Sequence, residues 1–474
     1  MMHEKTRRDF LRLSATGLVA AATTDALPLV GSSAPDGEIL RWVTNPGLRF
    51  QRAASLQWKP SSRPRAKDDI VVDPGKRGQE ILGFGAAFTD ASCYTLNQLS
   101  ASARDHLIHE LFHPSEMGFS VCRTCIGSSD YSTKVYSYDE GDPDPDLTRF
   151  SIDHDREYIL PVLRQAREVN PDLFLFSSPW SPPGWMKSSG SMLGGAIWQR
   201  YLPNYARYFL KFLQAYEAAG IPIQAITPQN EVDTDQDGRM PACIWPQEYE
   251  IGFVKRELGP LLQANGIATR IWILDHNYNL WGRAICELDD PELRKFCNAV
   301  AWHGYVGKPA MMGKVAAAHP EVEMHWTEGG PDFTSPDYLT DWGKWAHTFS
   351  EILRNGCRSV TAWNIALDEQ GRPNIGPFSC GGLVTVHSQT KEITRSGQYW
   401  AFAHFSRLIR RGARRLDSQG GADGVEHVAF ENPGGQRVIV ITNPGPAQSA
   451  TLHLGKSHTE ITLEGDSVNS LAWS

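Results

Sequence analysis

Between Ile81 and Ile365 the chain alternates a short apolar run of strand length with a longer stretch whose apolar residues recur every three or four positions. Runs of the first kind are Gly83 to Phe88, Phe119 to Ile126, Leu173 to Ser178, Ile223 to Thr227, Arg270 to Asp275, Val300 to His303, Val322 to Thr327 and Ser359 to Ile365. Helical spacing marks Ser92 to Phe112, Tyr158 to Val169, Trp198 to Ala219, Glu248 to Gln263 and Leu339 to Asn355. Neighbouring parallel strands need helical crossovers, and eight strand-helix units in series is the number that closes a (β/α)8 TIM barrel. The flanks have another rhythm. Ile39 to Val43 and Ala53 to Trp58 precede the barrel; Val425 to Phe430, Arg437 to Thr442, Ala450 to Leu454 and Glu460 to Leu463 follow it, with turns at Asn432-Pro433-Gly434-Gly435 and Asn443-Pro444-Gly445. The expected fold is therefore α/β: a barrel over 79–395, with an antiparallel β-sandwich built from both chain ends, 35–78 and 396–474.

The first 34 residues are set apart as a leader. Thr6-Arg7-Arg8-Asp9-Phe10-Leu11-Arg12 has the twin-arginine pattern, followed by a mildly apolar Leu18 to Leu29 region and small residues at Ser33-Ala34. Export to a periplasm or beyond is the expectation. Past the leader no apolar run is long enough to span a bilayer, and a formal charge of −8 argues against a nucleic-acid partner. Eight cysteines are too sparse for a disulfide scaffold. Cys122 and Cys125 sit within one strand-like run, where residues three apart face opposite ways, so they read as packing residues. The basic run Arg410 to Arg415 reads as a solvated junction, and Asp90 as an N-cap of the first barrel helix.

In a barrel of this kind, chemistry sits at the C-terminal ends of the strands. Two carboxylates fall there. Glu231 follows Gln224-Ala225-Ile226-Thr227-Pro228-Gln229-Asn230, and Glu328 ends Val322-Glu323-Met324-His325-Trp326-Thr327. A pair of carboxyls that flanks one sugar can cleave its glycosidic bond. His303 and Tyr305, at the sixth strand's end, are candidate donors to Glu328. Trp180 and Trp363, at the third and eighth, offer a platform for a sugar ring, and Asp130, at the second, accepts from two hydroxyls. Other chemistries fit poorly. Gly83-Phe84-Gly85 lacks the third glycine of a dinucleotide loop, and Gly127-Ser128-Ser129 is no nucleophile elbow. His303 and His325 stand alone on separate strands, so neither a metal nor another cofactor is implied.

Taken in order, Gly83-Phe84-Gly85-Ala86-Ala87-Phe88-Thr89-Asp90-Ala91, Ser178-Pro179-Trp180-Ser181-Pro182-Pro183-Gly184-Trp185-Met186-Lys187, Thr227 to Glu231, Ala301-Trp302-His303-Gly304-Tyr305, Trp326 to Gly329 and Thr361 to Leu367 resemble glycoside hydrolase family 30 over nearly the whole mature length. That is the family of lysosomal glucosylceramidase and microbial β-1,6-glucanases. The resemblance implies a retaining β-glucosidic hydrolase of glucosylceramidase type, with Glu231 as acid/base and Glu328 as nucleophile. It further implies that Asn230 binds the sugar 2-hydroxyl and that Asp130, Trp180 and Trp363 hold the glycone. By the same resemblance Asn374 lies near the aglycone entrance and Arg123 supports the nucleophile. The substrate would be a β-glucoside, either glycolipid or glucan, so a β-1,6-glucanase is the alternative; a non-catalytic carbohydrate-binding barrel is a more remote one. For the roles to differ, the Glu231 carboxyl should titrate high and Glu328 stay ionised. The sequence departs from lysosomal-type members at Gly304, where they carry a bulky aromatic, and at Val232, where many carry proline; both positions are expected around the cleft.

Overall fold

The computed structural model describes residues 37–61 and 64–474. The leader expected at 1–34 lies outside the described residues. Eight parallel strands close into a barrel: β1 (Gly83–Phe88), β2 (Val121–Cys125), β3 (Phe174–Ser178), β4 (Ala225–Ile226), β5 (Arg270–Asn277), β6 (Cys297–His303), β7 (Glu323–Glu328) and β8 (Cys357–Ala362), with β8 returning to pair with β1. The lower interior is apolar and filled by Val121, Phe174, Phe176, Ala225, Trp272, Ala299 and Ala301. His325 lies stacked on Trp272 there, ring centroids 3.9 Å apart, away from the strands' C-terminal ends. This plug is what allows charged side chains to sit above it at the opposite mouth.

The helix expected over Ser92 to Phe112 is two helices, Asp90–Asn97 and Ala101–Phe112. The break has a cause: the Ser100 hydroxyl accepts from the Ala103 N–H at 3.2 Å and starts a new helix. The first is capped by Thr89, whose hydroxyl accepts from the Ser92 N–H at 3.0 Å, so Asp90 is not the N-cap. Asp90 instead accepts from the Thr133 N–H at 2.7 Å and the Tyr158 hydroxyl at 2.9 Å.

Both chain ends do build one β-domain. Its ten-stranded sheet runs Leu48–Gln57, Glu38–Asn45, Ser467–Trp473, Arg437–Asn443, Glu426–Glu431, Arg414–Gln419, Ile70–Glu80, Gln448–Leu454, Ser457–Leu463, Lys59–Pro60, and wraps around a core that includes Ile39, Ile70, Leu416, Ile439, Leu452, Ile461 and Trp473. Pairing is antiparallel except between Ile70–Glu80 and Gln448–Leu454. The expected boundary at 396 falls just before the helix Gly397–Ser406, which joins the two parts. Phe402 packs on Phe349 of the barrel helix Trp342–Arg354 at 4.4 Å, while the His404 ring bridges Thr44 and Ser470 of the sheet at 2.8 Å each. Arg411 corrects the expectation of a merely solvated junction. Its guanidinium donates to the carbonyls of Leu82, Asp172 and Ser120 at 3.0, 2.7 and 2.7 Å, tying off the N-terminal ends of the first three strands. Cys122 and Cys125 are buried on β2, and no disulfide forms among the described residues. None of the described helices is long and apolar enough to cross a membrane.

Candidate active site

At the C-terminal mouth of the barrel a cavity of about 550 Å³ opens between the strand ends, lined among others by Asp130, Trp180, Asn230, Glu231, Tyr305, Glu328 and Trp363. Its backbone is strained where the side chains must turn inward. Glu231, Leu274, Asp275 and Asn364 all have left-handed φ, at 52°, 73°, 48° and 62°; Glu231 and Asn364 lie past the ends of β4 and β8, and Leu274 and Asp275 lie within β5. Such conformations cost on the order of 1–3 kcal/mol each and persist where surrounding contacts enforce them. In β5 they make a bulge: Leu274 pairs with Ala301 but His276 with Trp302, so Asp275 is the extra residue.

That bulge places Asp275, fully buried, at the centre of a polar layer directly beneath the cavity. One of its oxygens accepts from Arg123 Nη2 at 2.6 Å, Ser178 Oγ at 2.7 Å and Thr227 Oγ1 at 2.7 Å; the other accepts from His303 Nε2 at 3.1 Å and Thr327 Oγ1 at 2.7 Å. Burial alone would raise its carboxyl, but Arg123 and His303 overcome this and hold it far below the usual carboxylate range. Arg123, also fully buried, spreads its fork over Glu328, Asn230 and Asp275, with its guanidinium carbon 4.7 Å above the Trp180 ring. Arg123 and His303 therefore do not line the cavity; they stand behind the residues that do.

Glu328 receives Arg123 on one oxygen and the Tyr305 hydroxyl, at 3.1 Å, on the other. Asn230 accepts from Arg123 Nη2 at 2.7 Å through its side-chain oxygen, which leaves its amide N–H groups for the cavity. Trp180 and Trp363 stack at 5.0 Å with an interplanar angle of 21°. The Asp130 carboxyl is pushed up by burial and by the Glu328 and Glu231 carboxylates. Asn374 does not itself line the cavity: its side chain is spent on its own loop, donating to the carbonyl of the cavity-lining Phe378 at 2.6 Å and accepting from the Gly376 N–H at 2.6 Å. Val232 is fully buried and away from the cleft. At Gly304 a Cβ would lie 2.6 Å from Trp326 Cζ2, so a bulky aromatic there would require Trp326 to move.

The surroundings of Glu231 were not foreseen. His303 Nδ1 lies 3.5 Å and His276 Nδ1 3.8 Å from one Glu231 oxygen, and the Gln236 side chain donates to the other at 2.9 Å. His303 thus does not stand alone among the histidines. Burial raises the Glu231 carboxyl, but His303, His276 and Gln236 outweigh it and bring it below its ordinary value. Glu328 moves the other way, because burial outweighs His303 and Arg123. The expected order of the two glutamates is therefore reversed in the free protein. Burial opposes charge on His303, yet Glu328, Asp275 and Glu231 lift its imidazole to about 9. At neutral pH the shared proton resides on His303. The missed residues carried partial signals: Asp275 closes a strand in Ile273-Leu274-Asp275, and His276 follows it.

Comparison with known proteins identifies the family. Residues 81–409 match the model of the glycosyl hydrolase family 30 TIM-barrel domain, and residues 412–471 match that of the family 30 β-sandwich domain. The chain is 33% identical over 404 residues to an endo-1,6-β-D-glucanase of Neurospora crassa, covering 81% of this chain and 83% of the relative. It is 31% identical over 458 residues to putative glucosylceramidase 1 of Caenorhabditis elegans, covering 90% and 87%. A solved endo-β1,6-glucanase superposes with a TM-score of 0.84 at 29% identity, covering 93% of this chain and all of that one. With its barrel and its sandwich both matched along their length, the chain belongs to glycosyl hydrolase family 30, a family of glycoside hydrolases.

Proposed function

We propose that this enzyme hydrolyses β-1,6-linked glucan with retention at the anomeric carbon. The observation that carries the choice of substrate is the wall beyond Glu231, where Asp233, Thr234, Gln236, His276, Asn277 and Asn279 line the cavity. A wall of hydrogen-bonding groups suits the hydroxyls of a second sugar and leaves an acyl chain unmatched. The glucanase names among the relatives point the same way. A glucosylceramidase is the second reading, favoured by Tyr305, Val306 and Phe378, large side chains that are 44%, 51% and 43% exposed beside the same opening.

In this reading a glucosyl ring rests against Trp180 and Trp363, with Asp130 accepting from its hydroxyls and Asn230 donating to the 2-hydroxyl. Glu328, oriented by Arg123 and Tyr305, attacks the anomeric carbon. Glu231 delivers a proton to the departing oxygen; in the free enzyme that proton is on His303, whose Nδ1 faces the same Glu231 oxygen at 3.5 Å. Binding of the leaving sugar displaces Gln236 and moves the proton to Glu231. Water then gives a proton back to Glu231 as it opens the glycosyl-Glu328 ester.

Two measurements test this. Relative kcat/KM on a linear β-1,6-glucan and on glucosylceramide in detergent should favour the glucan; a preference for the lipid would overturn the substrate assignment. A 2-deoxy-2-fluoro-β-glucosyl inactivator should leave one label on Glu328, and a label elsewhere would overturn the roles. We also infer export from the Arg7-Arg8 pattern. Replacing both with Lys should hold the protein in the cytoplasmic fraction, and unchanged fractionation would refute that.

A further inference from the structure

Three atoms able to ligate a metal converge at one point beside the cavity. Glu231 Oε1, His276 Nδ1 and His303 Nδ1 all lie within 4.8 Å of one another. Both imidazole nitrogens are buried and have no hydrogen-bond partner. The opposite nitrogens are each held by a carboxylate: His303 Nε2 donates to Asp275 at 3.1 Å and His276 Nε2 to Asp233 at 2.5 Å. A carboxylate behind each ring fixes the proton on Nε2 in the neutral imidazole and points the Nδ1 lone pair at Glu231. That is the outer arrangement by which proteins orient histidines toward a divalent ion.

We propose that Glu231, His276 and His303 form a reversible inhibitory site for Zn2+. Zinc takes N and O ligands at about 2.0–2.2 Å, which makes a tetrahedral edge of about 3.3 Å. The separations of 3.5 Å and 3.8 Å from Glu231 Oε1 are close to it, and the two Nδ1 atoms, within 4.8 Å of each other, must close on the ion by rotation of the His276 and His303 side chains. Three protein ligands leave the fourth position for water on the cavity side. Imidazole and carboxylate donors suit zinc and its neighbours in the first transition row, and exclude the all-oxygen preference of Mg2+ and Ca2+. The ion displaces the proton that His303 otherwise carries, and that proton leaves to solvent. With Oε1 coordinated, Glu231 can neither give a proton to a leaving oxygen nor take one from water. The inhibitory half of the proposal rests on the acid/base role given to Glu231; the binding half does not.

Isothermal titration of Zn2+ into the chelator-treated full chain tests the binding, and Co2+ provides a second readout because tetrahedral N/O coordination gives intense visible absorption. One ion per chain is expected. Asp233→Asn, which removes only the carboxylate behind His276, should weaken binding about 10–100-fold. His276→Gln should weaken it further, while Cys286→Ser, at an exposed thiol elsewhere, should leave it unchanged. Binding that is absent, or indifferent to both Asp233→Asn and His276→Gln, overturns the site. Hydrolysis of the glucan by the wild-type chain should fall in step with zinc occupancy and recover with chelator. If one zinc binds and responds to these variants while hydrolysis continues, the metal site stands and the acid/base role of Glu231 fails.

Discussion

Replacing Asp275 by Asn should destabilise the fold and move the acid/base equilibrium of the site at once. The carboxylate accepts five hydrogen bonds, three on one oxygen and two on the other, and has no donor of its own. An asparagine keeps one acceptor oxygen. Oriented toward Arg123, Ser178 and Thr227, it turns an NH2 toward His303 and Thr327. The Thr327 hydroxyl has an alternative acceptor in Trp302 O at 3.2 Å, and His303 can give up its Nε2 proton and keep the one on Nδ1. What has no replacement is the charge opposite Arg123, whose guanidinium is fully buried. Removing one partner of a buried pair costs about 3–5 kcal/mol. Glu328 remains as the second partner of Arg123, so the lower end, about 3 kcal/mol, is expected. Urea unfolding followed by tryptophan fluorescence and far-UV circular dichroism would measure it. The same change removes one of the carboxylates that hold the His303 proton, so the alkaline limb of kcat/KM should move to lower pH. A stability loss below about 1 kcal/mol, the net worth of an ordinary hydrogen bond, would refute the account of Asp275 as the charge partner of the layer.

Glu231→Ala should slow hydrolysis of the natural glucan by about 100-fold or more, while aryl glucosides with good leaving groups lose little in their first step; equal losses on both, measured by pre-steady-state kinetics, would count against the proton-donor role. His303 has a folded value of about 9, above its unfolded value of about 6.5, so the stability it contributes is complete below pH 6.5 and is lost as pH rises through 9. Urea midpoints taken across that window should fall in the wild type, and His303→Asn should lack that component. Gly376→Ala would set a methyl 2.6 Å from Asp130 Cβ. Overpacking of about 1–3 kcal/mol beside the glycone should lower kcat/KM about tenfold with folding preserved, and unchanged kinetics would show that the loop gives way.

What the sequence disclosed and what it concealed divide along the range of the signal. Glu231 and Glu328 were readable because an apolar run ending in a carboxylate is a local pattern. Asp275 also ends such a run, but its importance depends on a bulge, and one extra residue in a strand changes which side chains face inward. The His276–Asp233 pair joins residues 43 apart and exists because β4 and β5 are neighbours. The reversed titration of the two glutamates follows from those same imidazoles, so a reading that lacked His276 expected the opposite. The strand Ile70–Glu80 was hidden by Pro74, Gly75 and its charges, which sit at the irregular register with Arg414–Gln419. Asn374 shows the limit of motif transfer: the residue is there, but its hydrogen bonds are used within its own turn.

The order of strands in the ten-stranded sheet has a consequence for folding. Glu38–Asn45 pairs on one side with its hairpin partner Leu48–Gln57 and on the other with Ser467–Trp473, from the far end of the barrel's sequence. The same terminal strand also completes Arg437–Asn443. Until Ser467–Trp473 docks, each of these strands carries an open edge, the arrangement that recruits stray pairing partners. Closing the sheet therefore rests on pairs as distant in sequence as Leu40 and Ala472, contacts that form only after a long loop has closed, and without them the hairpin Glu38–Asn45/Leu48–Gln57 is cut off from the other strands.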